Sequence, residues 1–158
     1  MNVWYVNSML GAIRLEEENE ALCALSFCPD GVPELEPLPR KVCETPFLQE
    51  VEEQLNEYFA GARWEFDLPL APKGTPFQQA VWAELLKIPY GEVRTYGQLA
   101  AALGKPNASR AVGGACHCNP IAIVIPCHRV VGANGSLTGY AYGVEMKKYL
   151  LEMEKGDI

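Results

Sequence analysis

The chain has 158 residues, 49% of them hydrophobic and 21% charged, with a formal net charge of −7. These proportions are those of a soluble globular protein with enough chain to bury a core, in one domain or in two small ones. No apolar run approaches the roughly 18 residues of a membrane span, and no basic-then-apolar leader opens the sequence, so a cytoplasmic protein with reduced thiols is expected.

The charge is unevenly divided. Residues 1–72 hold four Lys/Arg against fourteen Asp/Glu, and residues 73–158 hold nine against six. An asymmetry of −10 against +3 implies two bodies with different partners, of which only the second tolerates a polyanion. A domain boundary is therefore placed between residues 72 and 73.

In chain order, "VWYVN" reads as a strand, and "GAIRLEE" and "ALCALSF" flank the polar "EENE" as a hairpin. A stretch with prolines at 29, 33, 37, 39 and 46 is expected to cross the surface. Thr45 and Pro46 then start a helix whose Phe47, Val51, Leu55 and Phe59 recur about once per turn, and Gly61 stops it. "DLPLAPKGTP", residues 67–76, reads as a linker.

Beyond it, Thr75, Pro76 and Gln78 spell a capping box with a first-turn proline, and Phe77, Val81, Leu85 and Leu86 give that helix one apolar face. Thr95 and Gln98 repeat the box ahead of a short helix through Leu99, Ala100 and Leu103. "GKPN" makes a turn, and a second short helix runs from near Asn107 to Asn119-Pro120. Two short helices joined by a glycine-containing turn fit a helix-turn-helix. The second, "ASRAVGGACHC", almost lacks large side chains. Gly113 and Gly114 each cost about 1 kcal/mol relative to alanine in a helix, so they imply close packing on a neighbour or close approach to a ligand backbone. Arg110 on the same helix makes nucleic acid a natural ligand.

"IAIVI", residues 121–125, is short, branched and apolar and reads as a buried strand ended by Pro126. Cys127, His128 and Arg129 follow. A free cysteine alone is more often core than catalytic, but an adjacent base and cation favour thiolate over the free thiol, whose pKa is about 8.5. Cys116, His117 and Cys118 with Cys127 and His128 also raise a zinc site. Consecutive helical residues diverge, however, and no Cys-x2-Cys spacing is present, so no metal is expected. At this level a structural thiol, a metal ligand and a nucleophile all remain open.

"IPCHRVVGANG", preceded by "SRAVGGACHCNP" and followed by "GYAYG" and "KKYLLEMEKG", resembles the O6-alkylguanine-DNA alkyltransferase family. "FQQAVWAELLKIPYGEVRTYGQLA" extends the match over nearly all of residues 75–156; residues 1–72 resemble the family's N-terminal domain more loosely. The resemblance implies an α+β protein, with a small ribonuclease-H-like sheet and helix domain over 1–72 and a winged-helix domain, containing the helix-turn-helix, over 73–158. It implies direct-reversal DNA repair: a base flipped into a pocket gives its alkyl group from guanine O6, and by extension thymine O4, to a cysteine, stoichiometrically and without a cofactor.

By the same resemblance Cys127 is the alkyl acceptor, His128 a general base acting through water, and Glu154 the carboxylate that orients it. Tyr96 supports proton transfer to guanine N3, and Asn119 ties the recognition helix to the acceptor segment. Arg110 enters the base stack, with Ala108, Ser109, Gly113 and Gly114 against the minor groove of double-stranded DNA. Val130, Tyr140 and Ala141 wall the alkylguanine pocket. The protein is expected to act as a monomer, with no membrane partner. Two departures stand out: Cys116 and Cys118 place thiols at the end of the recognition helix, open to alkylation or oxidation, and Tyr142 replaces a common loop glycine. Relatives that only flag damage lack the acceptor cysteine, which this chain retains.

Overall fold

In the computed structural model, which describes residues 1–34, 36 and 40–158, the chain separates into a unit Met1–Pro72 and a unit Lys73–Ile158.

The first unit is built on an antiparallel meander of β1 (Asn2–Ser8), β2 (Gly11–Glu18) and β3 (Ala21–Cys28), with the short β4 (Lys41–Val42) parallel to β1. The strand order is β3-β2-β1-β4. The β2–β3 turn places Asn19 and Glu20 both at positive φ, the backbone of a two-residue hairpin turn, for which asparagine is well suited. Val3, Val6, Ile13, Leu15, Leu22, Leu25 and Phe27 are buried. The polar side chains of the sheet are paired: Arg14 bonds Glu16 and Glu36, and Arg40 also reaches Glu16.

Helix α1 (Pro46–Phe59) begins at Thr45, whose hydroxyl accepts from the Leu48 amide. Its buried stripe is Leu48, Val51, Leu55 and Tyr58, each worth about 1.5–3 kcal/mol of burial. Phe47 and Phe59, expected in that stripe, are only half-buried: the face is rotated by about one residue toward Leu48 and Tyr58. The expected linker is in part a sheet edge. The Leu22 amide donates to the Pro69 carbonyl at 2.9 Å and the Ala71 amide to the Leu22 carbonyl at 2.8 Å, so residues 69–71 cover the free edge of β3. Buried Gln54 fixes the approach, bonding both the amide and the carbonyl of Asp67. Of the proline-rich stretch, Pro29 to Glu34 is exposed; Pro37 and Pro39 lie outside the described residues.

The second unit contains α2 (Pro76–Leu85), β5 (Arg94–Thr95), α3 (Tyr96–Ala102), α4 (Ser109–His117), a single 3-10 turn (Cys127–Arg129), β6 (Val130–Val131) and α5 (Val144–Lys155). Both capping boxes form as the sequence predicts. α2 buries Val81, Trp82 and Leu85, while Leu86, assigned to that face from the sequence, is 49% exposed. It lies at the C-cap, where the helix ends. The Trp82 indole donates to the Ala115 carbonyl at 2.9 Å, tying α2 to α4. Gly74 is required here: a Cβ would lie 2.4 Å from the Trp82 ring. β5 and β6 pair in parallel, Arg94 with Val130 and Thr95 with Val131.

"IAIVI" is not a strand. Residues 121–125 are all buried, but the chain coils through two tight turns, Ile125 amide to Ile121 carbonyl at 3.0 Å and Val124 amide to Ala122 carbonyl at 2.7 Å. Ile123 takes φ +68°, an unfavourable conformation for a β-branched residue, held by burial of its neighbours. Apolarity reports burial, not extension. α4 also starts two residues later than expected, with Ala108 as an N-cap that offers no side-chain bond. No helix among the described residues is long and apolar enough to cross a membrane.

Candidate active site

The coil through 121–125 delivers Cys127 to the first position of the 3-10 turn, with His128 and Arg129 following on the same turn. All three are buried, His128 completely. One acidic residue, Glu154, the penultimate residue of α5, organises two of them. His128 Nε2 lies 2.7 Å from Glu154 Oε2, Arg129 Nε donates to Oε1 at 2.7 Å, and Arg129 Nη2 donates to Oε2 at 3.0 Å. Arg129 Nη1 is spent on the Ile88 carbonyl at 2.7 Å.

The protonation states follow. Burial would raise the Glu154 pKa, but His128 and Arg129 outweigh it and hold the carboxyl down to about 2. An ionised carboxylate can only accept, so His128 donates through Nε2 and its Nδ1 carries the free lone pair. Burial also lowers the His128 pKa, against the pull of Glu154, so the ring is neutral near pH 7. Nδ1 is buried and has no hydrogen-bond partner among the described residues. It is a base with an unoccupied acceptor.

Asn119 joins the end of α4 to the 3-10 turn that bears Cys127. Its side-chain amide donates to the Ile125 carbonyl at 2.7 Å and to Cys127 Sγ at 3.3 Å, and its Oδ1 accepts from the Ile121 amide at 3.0 Å. The thiol itself is pushed up by burial, only partly offset by the Asn119 bond and the charge of Lys147. This corrects the expectation of a lowered pKa with Arg129 as the helpful cation. Arg129 is committed to Glu154; the cation that acts on Cys127 is Lys147, which sequence reasoning missed. Lys147 is fully buried, donates to the Thr138 carbonyl at 2.9 Å, and stands 5.9 Å from the Tyr96 ring centre. A lysine on the same helical face as Leu150, Leu151 and Glu154 was the available signal.

Cys127 opens onto a cleft of about 200 Å³ lined also by Tyr96, Gly113, Cys116, His117 and the loop Thr138–Ala141. The Tyr96 hydroxyl donates to the Thr138 carbonyl at 3.2 Å. Tyr140 is buried with a hydroxyl that has no hydrogen-bond partner among the described residues, and Tyr142 packs edge-on against it at 5.7 Å, outside the cleft lining. Of the three expected pocket walls, Tyr140 and Ala141 line the cleft, whereas Val130 is fully buried in the β5–β6 ladder.

On α4, Arg110 and Gly114 are exposed, and Ala108, Ser109 and Gly113 are half-exposed. A Cβ at Gly114 would meet nothing within 4 Å, and one at Gly113 would touch only the Tyr96 ring at 3.8 Å, an ordinary contact. Packing within the chain does not require either glycine. Cys116 is buried and Cys118 exposed on the same helix end. Among the described residues no group of three His, Cys, Asp or Glu side chains converges as a metal site does.

Two family models match the chain: "6-O-methylguanine DNA methyltransferase, DNA binding domain" over residues 76–156 and "6-O-methylguanine DNA methyltransferase, ribonuclease-like domain" over residues 3–72. A methylated-DNA-protein-cysteine methyltransferase of Methanosarcina acetivorans is 50% identical over 147 residues, spanning 93% of this chain and 94% of that protein. The crystal structure of Mycobacterium tuberculosis OGT in complex with DNA is 43% identical with a TM-score of 0.90, over 99% of this chain and 94% of that one. The O6-methylguanine-DNA methyltransferase of Pyrococcus kodakaraensis aligns over 97% of this chain and 98% of its own, at 28% identity and a TM-score of 0.64.

Proposed function

The chain belongs to the 6-O-methylguanine DNA methyltransferase family, and on that premise we propose that it repairs alkylated DNA by moving the alkyl group from guanine O6 onto Cys127. The observation that carries this reading is the buried thiol at the mouth of a small cleft, with a neutral, oriented histidine beside it whose Nδ1 is unoccupied.

The resting acceptor is a thiol, because burial opposes the thiolate. Its proton passes through a bridging water to His128 Nδ1, while Glu154 stabilises the imidazolium that forms. Lys147 and the Asn119 amide favour the charge as it appears on Sγ. The sulfur attacks the saturated carbon, the Sγ–C bond forms and the C–O6 bond breaks, and the electron pair leaves with the purine. Tyr96 delivers a proton toward guanine N3. In net terms the thiol proton replaces the alkyl group on guanine. A thioether has no easy way back, so each molecule reacts once.

A duplex cannot reach a sulfur in a 200 Å³ cleft, so the damaged nucleotide leaves the stack, at a cost of a few kcal/mol. Exposed Arg110 takes its place in the duplex, and the small face of Ala108, Ser109, Gly113 and Gly114 lies in the minor groove. Tyr140 and Ala141 flank the flipped base; Val130 supports the acceptor turn from beneath. Thymine is smaller than guanine, so O4-alkylthymine fits the same cleft. The protein works as a monomer in the cytoplasm, where its free cysteines remain thiols.

The test is intact-protein mass spectrometry after mixing with an oligonucleotide that carries O6-methylguanine. One added methylene mass on Cys127, absent from Cys127→Ser, is expected. Repair with the protein mass unchanged overturns the acceptor mechanism.

A further inference from the structure

One nucleophile of the cleft has no part in that mechanism. Cys116 lines the same cavity as Cys127, and both are reduced. It sits one residue before the C-terminus of α4, and its carbonyl accepts from the Asn119 amide at 3.2 Å. The Asn119 side chain in turn contacts Cys127 Sγ at 3.3 Å. A single residue therefore stitches the two cysteine-bearing segments together across the cleft. The remaining cysteine of this unit, Cys118, is exposed and outside the cavity.

We propose that Cys116 is a resolving thiol for Cys127: under a peroxide the two sulfurs of the cleft join in a disulfide that reversibly closes the alkyl acceptor. The first step belongs to Cys127, which has a hydrogen-bond donor and a buried cation at hand in Asn119 and Lys147. Its sulfur attacks the peroxide, the O–O bond breaks, and water leaves a sulfenic acid. Cys116 then attacks that sulfur, the S–O bond breaks, and a second water departs with the Cys116 proton. Two thiols and one hydrogen peroxide give one disulfide and two waters. The order rests on the Asn119 amide, which reaches the Cys127 sulfur at 3.3 Å; burial pushes both thiols up, Cys116 to about 12. Cys116 feels the charge of Cys127, and Tyr96 and Lys147 each feel both sulfurs, as expected of groups around one small cavity. The cost of leaving Cys127 unguarded is irreversible: a sulfenic acid with no partner proceeds to sulfinic acid, and a consumed acceptor repairs nothing.

The bond itself does not depend on the acceptor role of Cys127; only its effect on repair does. The reduced full-length protein is treated with hydrogen peroxide, quenched with iodoacetamide and weighed. In a denatured aliquot four thiols, against six in the untreated protein, are expected to take up carbamidomethyl, with two hydrogens lost at the disulfide; a second aliquot, its peroxide removed with catalase instead, is expected to recover its own methyl uptake in full after dithiothreitol. Trypsin leaves Cys116, Cys118 and Cys127 on one peptide, Ala111–Arg129, so fragmentation of that peptide must place the link between 116 and 127. Cys118→Ser is expected to form the same bond. In Cys116→Ser, peroxide is expected to add two oxygens to Cys127, and dithiothreitol to restore nothing. A Cys118–Cys127 link, sulfinic acid as the first product of the native chain, or equal recovery in Cys116→Ser overturns the proposal. If the reduced protein takes up no methyl group, the acceptor reading fails while the disulfide map still stands or falls by itself.

Discussion

His128 Nε2 and Glu154 Oε2 lie 2.7 Å apart with no solvent exposure on either side chain. The same carboxylate holds Arg129 through both oxygens, so one charge at the end of α5 satisfies two groups on the 3-10 turn. This makes Glu154 at once the orienter of a base and the counter-charge of a buried guanidinium.

Glu154→Gln is expected to damage both roles. It leaves Arg129 buried without a counter-charge, which costs about 3–5 kcal/mol of stability. It also frees the imidazole to change tautomer, lowering the single-turnover rate of methyl transfer by about 10²–10⁴-fold where the protein still folds. Urea unfolding and rapid-quench kinetics on one preparation read the two effects separately. Unchanged stability would remove the ion-pair role.

Acid sensitivity follows from the depressed pKa values. The unfolded histidine titrates near 6.5, and the folded one lower, so below pH 6.5 the unfolded state binds more protons. Stability then falls with pH by about 1.4 kcal/mol per unit. Glu154 adds a second such loss as pH drops from its ordinary value of 4.5 toward about 2. Urea midpoints measured from pH 7.5 to 4 should show the first slope in the native chain and not in His128→Asn. The methyl-transfer rate should likewise hold down to below pH 6.5 before the base is lost.

Asn119→Ala removes two backbone bonds and the contact to Sγ. Leaving the buried Ile125 carbonyl unpaired costs about 1–3 kcal/mol. The thiol should titrate still higher, which thiolate absorbance against pH detects, and methyl transfer near neutrality should slow. Asn119→Asp keeps the Ile121 bond but turns an acceptor oxygen toward the Ile125 carbonyl and the sulfur, so it should slow transfer as well and lose at least as much stability. A thiol titration unmoved in both variants would end the claim that Asn119 acts on Cys127.

Gly114 allows a test with opposite signs. Alanine there meets nothing within 4 Å and should stabilise α4 by up to about 1 kcal/mol, yet weaken binding to duplex DNA through its added methyl. Thermal melting and duplex titration at fixed salt read both. Arg110→Ala should slow repair in duplex DNA far more than reaction with free O6-benzylguanine. Equal losses on the two substrates would remove Arg110 from base extrusion, and unaltered duplex affinity in Gly114→Ala would remove that glycine from the DNA-facing surface.

The three meander strands of the first unit, both capping boxes and the helix-turn-helix were legible in the sequence, because hairpin turns and caps are fixed by residues within a few positions of one another. "IPCHRVVGANG" with its flanking motifs likewise carried the family resemblance, which in turn implied the candidate chemistry and the part of Glu154 in it. Errors arose where neighbours far along the chain decide. "IAIVI" was buried as its apolarity required, but as a coil, since a strand needs a partner edge and a buried run does not announce one. Residues 69–71 became a sheet edge because the outer side of β3 needed covering. Most of all, the charge state at Cys127 was set by distance in space. Adjacent Arg129 turns to Glu154, and Lys147, 20 residues on, supplies the cation, because Coulomb interactions in a buried site follow where side chains point rather than where they stand in the sequence.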